Sequence, residues 1–85
     1  MTLRFLIPFV KGYQRLPKHI QRKADRQLQH LKRDLRHPGV KARKMTNMGD
    51  IWEGRVNGSY RFTFQIEGDT IILRHIGTHK IYRKP

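Results

Sequence analysis

The chain has 85 residues, no cysteine, and 19 Lys and Arg against 6 Asp and Glu, a formal net charge of +13. One domain spanning residues 1–85 is expected, with a small core, because a chain this short buries only about 60 % of its unfolded surface. A disulfide framework and a cysteine-based metal site are excluded, and no apolar run approaches the roughly 18 residues of a membrane span. No secretory leader pattern is visible, so the cytoplasm is the expected location. A positive excess this large predicts a polyanionic partner: nucleic acid, a ribosome, an acidic protein or an anionic membrane surface.

In chain order, Thr2–Ile7 reads as a first strand, ended by Pro8. Phe9 to Leu16 reads as a short helical segment with Phe9, Tyr13 and Leu16 on one side and Gly12 as its weak point. Pro17 suits the first turn of a second helix. From Pro17 to Leu35, Ile20, Ala24, Leu28, Leu31 and Leu35 recur at helical spacing and form one apolar stripe. The opposite face carries Lys18, Arg22, Lys23, Arg26, Lys32, Arg33 and Arg36. That face is either a docking and steering surface or a solvated charge stripe. His37-Pro38-Gly39 stops the helix. Val40–Asp50 is a basic connector containing Lys41, Arg43 and Lys44, with Met45 and Met48 available to dock on the core.

The last third holds three runs of strand-forming residues, Ile51–Val56, Tyr60–Ile66 and Thr70–Ile76. Asn57-Gly58 and Gly68-Asp69 separate them, both pairs suited to tight hairpins because Gly and Asn tolerate positive φ. The fold class is therefore two-layer α+β: an N-terminal strand, a helical hairpin, then a three-stranded antiparallel meander, making a four-stranded sheet with helices on one face. Period-two alternation assigns Phe62, Phe64 and Ile66 to the helices. It sets Glu53, Arg55, Arg61, Thr63 and Gln65 on a polar face that no helix buries. The third run is apolar on both faces: Ile71, Leu73 and His75 point one way, Ile72, Arg74 and Ile76 the other.

Two arginines on neighbouring strands, with the connector cations close by, suit phosphate oxygens, which guanidinium forks bind bidentately. The alternative is that so basic a chain must place some cations on any exposed face. His79 follows Gly77-Thr78 where the last strand exits, and imidazole is the side chain that titrates near neutrality. It is either a proton donor aimed at the sheet face or a turn histidine without a role. Tyr82 either stacks a nucleobase or closes an edge of the core. His19, His30 and His37 belong to the basic helical region. No histidine pair has a metal-ligand spacing, and no glycine-rich phosphate loop or nucleophilic triad is present.

Taken together, LPKHIQRKADRQLQHLKRD, HPGVKARKM and IWEGRVNGSYRFTFQIEGDTIILRHIGTHKIY resemble the RelE/ParE superfamily of type II toxin–antitoxin toxins over essentially the whole chain. The most specific pieces are Trp52-Glu53-Gly54-Arg55-Val56, the Tyr60-Arg61 pair and Gly77-Thr78-His79, an ending more like the YafQ-like mRNA interferases than the gyrase-directed ParE branch. The resemblance implies a RelE-like fold and a ribosome-dependent mRNA endonuclease that needs no metal or cofactor. It also implies a cognate antitoxin that binds the toxin in a hetero-oligomer. The reaction would be attack of a ribose 2′-hydroxyl on the adjacent phosphate with departure of the 5′-oxygen. By position, His79 would be the general acid, and Arg61 and Arg55 would hold the scissile phosphate. Tyr82, Lys80, Lys41, Arg43 and Lys44 would bind substrate. Glu53 has two readings, general base or salt-bridge partner orienting Arg55, because the chain departs from its relatives here: RelE has lysines where Glu53 stands, and YafQ-like proteins have a further histidine and aspartate where Arg55 and Ser59 stand. Two other classes share the fold or the charge: a non-catalytic ParE-like gyrase inhibitor and a basic RNA-binding module.

Overall fold

A computed structural model describes residues 1–85. The elements are β1 (Thr2–Phe5), α1 (Ile7–Gln14), α2 (Lys18–Arg33), β2 (Arg43–Lys44), β3 (Trp52–Arg55), β4 (Arg61–Glu67), β5 (Thr70–Gly77) and a C-terminal 3-10 helix (His79–Arg83). The sheet order is β1-β5-β4-β3-β2. The sheet has five strands, not the four expected. The additional one comes from the connector, where Arg43 pairs with Glu53 and Lys44 with Trp52 in antiparallel register. Two residues with no alternation carry no strand signal, so the β3 edge supplies it.

Pro8 does not simply end a strand: it occupies the first turn of α1, where its missing N–H is no loss. Gly12 is not a defect in that helix. A β-carbon at Gly12 would come 2.6 Å from the Ile76 carbonyl oxygen, so its absence lets α1 press against the end of β5. β1 runs parallel to β5 only as far as the Phe5–Leu73 pair. Beyond it, α1 takes over the β5 edge. In α2 the stripe Ile20, Ala24, Leu28 and Leu31 is buried, as its spacing predicts, against Phe9, Phe62, Phe64, Ile71 and Leu73. Gln27 is buried as well. Its Nε2 donates to the carbonyls of Gly39 (2.9 Å) and Arg55 (2.8 Å), tying α2 to the connector and to β3.

The ambiguity of the last strand is resolved by a β-bulge. Thr63 pairs with His75 but Phe64 with Leu73, so Arg74 is skipped and the side-chain phase shifts there. Ile71, Leu73 and Ile76 all enter the core, and His75 joins Thr63 on the other face. The Asn57-Gly58 turn is also not the two-residue hairpin expected. Neither residue has positive φ. The Asn57 Oδ1 accepts the N–H groups of Ser59 (2.9 Å) and Tyr60 (2.8 Å), an Asx turn within a longer loop. Gly68 does hold φ +60 in its hairpin. Met48 stays 39 % exposed and does not dock on the core.

Gly54 pairs with Phe62, and a β-carbon there would lie 2.3 Å from Phe62 Cζ. The ring is fully buried and has nowhere to swing. Gly54→Ala is therefore expected to destabilise the fold by about 1–3 kcal/mol through overpacking. Urea unfolding measures it, and an unchanged midpoint would show that the ring moves aside freely.

Candidate nucleic-acid site on the sheet face

The polar face is less open than alternation implies. After Thr78 the chain turns into the 3-10 helix and lies back across the sheet. The Pro85 carbonyl accepts from Thr63 Oγ1 (3.1 Å) and from Arg74 Nε (2.9 Å), while Arg74 Nη1 donates to Gln65 Oε1 (2.7 Å). Thr63 is thereby fully buried. A polar tail with no periodicity gives no sequence signal for this docking. It follows from two donors, Thr63 Oγ1 and Arg74 Nε, and one carbonyl meeting in space.

What remains accessible is the end of the sheet near the β3–β4 loop. Arg61 faces Arg55 across the β3–β4 pair. One concavity is lined by Lys41, Arg43, Glu53, Arg55 and Arg61. A second, of about 530 Å³, is lined by Ser59, Arg61, His79, Lys80 and Tyr82. Arg61 belongs to both. A third, lined by Arg43, Lys44 and Met45, shares Glu53 with the first and Tyr82 with the second. The expected residues Arg61, Arg55, His79, Lys80, Tyr82, Lys41, Arg43 and Lys44 thus border one continuous cationic surface.

Arg61 is held in place. Its Nη1 donates to the Asn57 carbonyl and to the Tyr60 carbonyl (3.1 Å). Two backbone acceptors fix one edge of the guanidinium and leave its other donors for a ligand. The Asx turn at Asn57 sets the position of that carbonyl, a role for Asn57 that turn propensity alone does not disclose.

Glu53 pairs with Arg43 of β2, not with Arg55. Burial works to raise its pKa. The Arg43 hydrogen bond, the nearby Tyr82 hydroxyl and the charges of Arg43 and Arg61 outweigh this and hold it below the usual carboxylate value. Tyr82 is pushed up to about 12, first by burial and then by the neighbouring Glu53 carboxylate. The Arg43–Glu53 pair ties β2 to β3, and Tyr82 of the 3-10 helix lines the same concavity. His79, by contrast, is exposed at the first position of that helix, on the rim of the groove that contains Arg61.

The arrangement offers a pinned guanidinium, a second one beside it, and an exposed imidazole on one surface. It can bind a phosphodiester and present a proton donor to it.

No protein-family model and no curated protein matches this chain. Solved structures do. A chain of the RelB–RelE antitoxin–toxin complex from Methanococcus jannaschii is 25 % identical, with a TM-score of 0.77 over 96 % of this chain and 99 % of that one. The YoeB/ParE toxin of Agrobacterium tumefaciens is 19 % identical, with a TM-score of 0.79 over 93 % and 99 %. The isolated RelE toxin of E. coli is 17 % identical, with a TM-score of 0.72 over 98 % and 92 %. No helix of the chain is long and apolar enough to cross a membrane.

Proposed function

We propose that this chain, whose fold is that of the RelE/ParE toxin superfamily, is the toxin of a type II toxin–antitoxin pair and acts as a metal-independent endoribonuclease on ribosome-bound mRNA. The observation that carries the reading is the presence of His79 and the pinned Arg61 guanidinium in one groove. The neighbours solved with antitoxins, among them the YoeB–YefM complex of Staphylococcus aureus, support a proteinaceous antitoxin as partner. The +13 charge suits both an acidic antitoxin segment and ribosomal RNA.

In the reaction proposed, the ribose 2′-hydroxyl oxygen attacks the adjacent phosphorus. A 2′,3′-cyclic phosphate forms, the bond from phosphorus to the 5′-oxygen breaks, and His79 delivers a proton to that oxygen. Arg61 and Arg55 stabilise the additional negative charge on the phosphoryl oxygens. The proton of the attacking 2′-hydroxyl passes to the Glu53 carboxylate, which its cationic neighbours keep ionised and which is therefore a weak base. It also holds Arg43 at the groove wall, where the Tyr82 ring meets a base and Lys41, Arg43, Lys44 and Lys80 meet the backbone.

Induced expression tests this. Growth arrest with mRNA cut at mapped positions within codons, relieved by the antitoxin, is the expected result. Arrest with a DNA-damage response and intact mRNA would replace the reading with gyrase inhibition.

A further inference from the structure

A second cationic concavity lies on the other side of the 3-10 helix, where α1 replaces β1 along the β5 edge. Its volume is about 550 Å³, and its basic lining is Lys11 from α1, Arg15 at the C-cap of that helix, His75 from β5, and Lys80, Arg83 and Lys84 from the tail. Lys11 and Arg15 stand one helical turn apart and so share a face. The carboxylate-paired cations of the chain are Arg43 and Lys44, with Glu53 and Asp50. None of those lining this pocket has a carboxylate partner, and no acid lines it. Other concavities of the chain do hold an acid, Glu53 in two of them. The apolar groove beneath β1 and α1 contains Asp25 and no Lys or Arg. The half-buried His75 imidazole, whose pKa is lowered first by burial and then by Arg74, adds ring nitrogens to this wall.

Lys80 lines this pocket and the His79–Arg61 groove alike. A chain of evenly spaced phosphates held at Arg61 would pass Lys80 and enter the pocket. We propose that the Lys11–Arg15–His75 pocket is a phosphate subsite for single-stranded RNA, binding the backbone that runs on from the nucleotide held at Arg61. The inference rests on the RNA reading above, but not on cleavage. An acidic protein segment is the competing occupant. Carboxylates spaced along a peptide have no reason to continue through Lys80 to Arg61, whereas a phosphodiester chain does.

The test is the charge reversal Lys11→Glu/Arg15→Glu. Both residues are exposed, so the fold is expected to survive, and circular dichroism checks it. Lys84→Glu, on the opposite wall, is an independent route to the same effect. The probe is a labelled 2′-O-methyl RNA of about eight nucleotides, which lacks the 2′-hydroxyl nucleophile and cannot be cut. Its affinity is read by fluorescence anisotropy at several salt concentrations. The double variant is expected to weaken binding by about tenfold and to reduce the slope of log affinity against log salt by about 1.4, two contacts at about 0.7 each. The matched reversal Lys18→Glu/Arg22→Glu, on the outer face of α2, is expected to change affinity less than about threefold with little change in slope. Equal losses for the two pairs would overturn the subsite, since the pocket would then be one part of a diffuse positive field. Competition by poly-glutamate as effective as that by RNA at equal charge would overturn it too. Pocket-dependent binding by a protein that never cuts mRNA leaves the subsite standing and removes the nuclease. Cleavage with pocket-independent binding does the reverse.

Discussion

Replacing His79 by alanine is expected to slow mRNA cleavage by about 10²–10⁴-fold while leaving the fold and RNA affinity intact. That range is what a positioned general acid contributes. The size follows from the bond being broken: the departing 5′-oxygen is a poor leaving group until a proton reaches it. The selectivity follows from where His79 sits. It is exposed at the start of the 3-10 helix and is not among the core residues, so its removal leaves no cavity. The tail is fastened elsewhere, through the Pro85 carbonyl. Single-turnover cleavage on programmed ribosomes, with RNA affinity measured alongside, separates chemistry from binding. A variant that cuts within about twofold of the parent would remove His79 from the mechanism.

Arg61→Ala is expected to cost about 10²–10³-fold in the same assay, the scale observed for loss of one preorganised donor to a developing oxyanion. Preorganisation is the reason for so large a number. The Asn57 and Tyr60 carbonyls already hold one edge of the guanidinium, so little side-chain freedom remains to be lost when phosphate arrives. Arg61→Lys should rescue poorly, because one ammonium cannot keep both carbonyls and clamp phosphate oxygens bidentately. Lys23→Ala provides the contrast. Lys23 is exposed on α2 and lines none of the groove concavities, so it should contribute only salt-screened affinity for ribosomal RNA. Its effect should fade as salt rises, and that of Arg61 should persist. Equal losses for the two at every salt concentration would mean that the groove is not the reaction centre.

The charge excess, the α2 stripe, the strand–helix–helix–meander order and the identity of the groove cations could all be read from the sequence. Each is a local or additive property. Net charge is a sum, a stripe is a spacing within one helix, and the alternation of Phe62 and Phe64 against Arg61 and Thr63 lies within one strand. Tertiary structure decided the rest, because it depends on what a segment meets. The bulge at Arg74 brings Ile76 into the core, and only pairing with β4 reveals it. Gly12 and Gly54 look like weak points until Ile76 and Phe62 are seen filling the space a β-carbon would take. Glu53 had Arg55 as its nearest cation in sequence, but Arg43, more distant along the chain, lies beside it once β2 pairs with β3. The tail has no pattern of its own, and its place over Thr63 is set by donors on β4 and β5 that needed an acceptor.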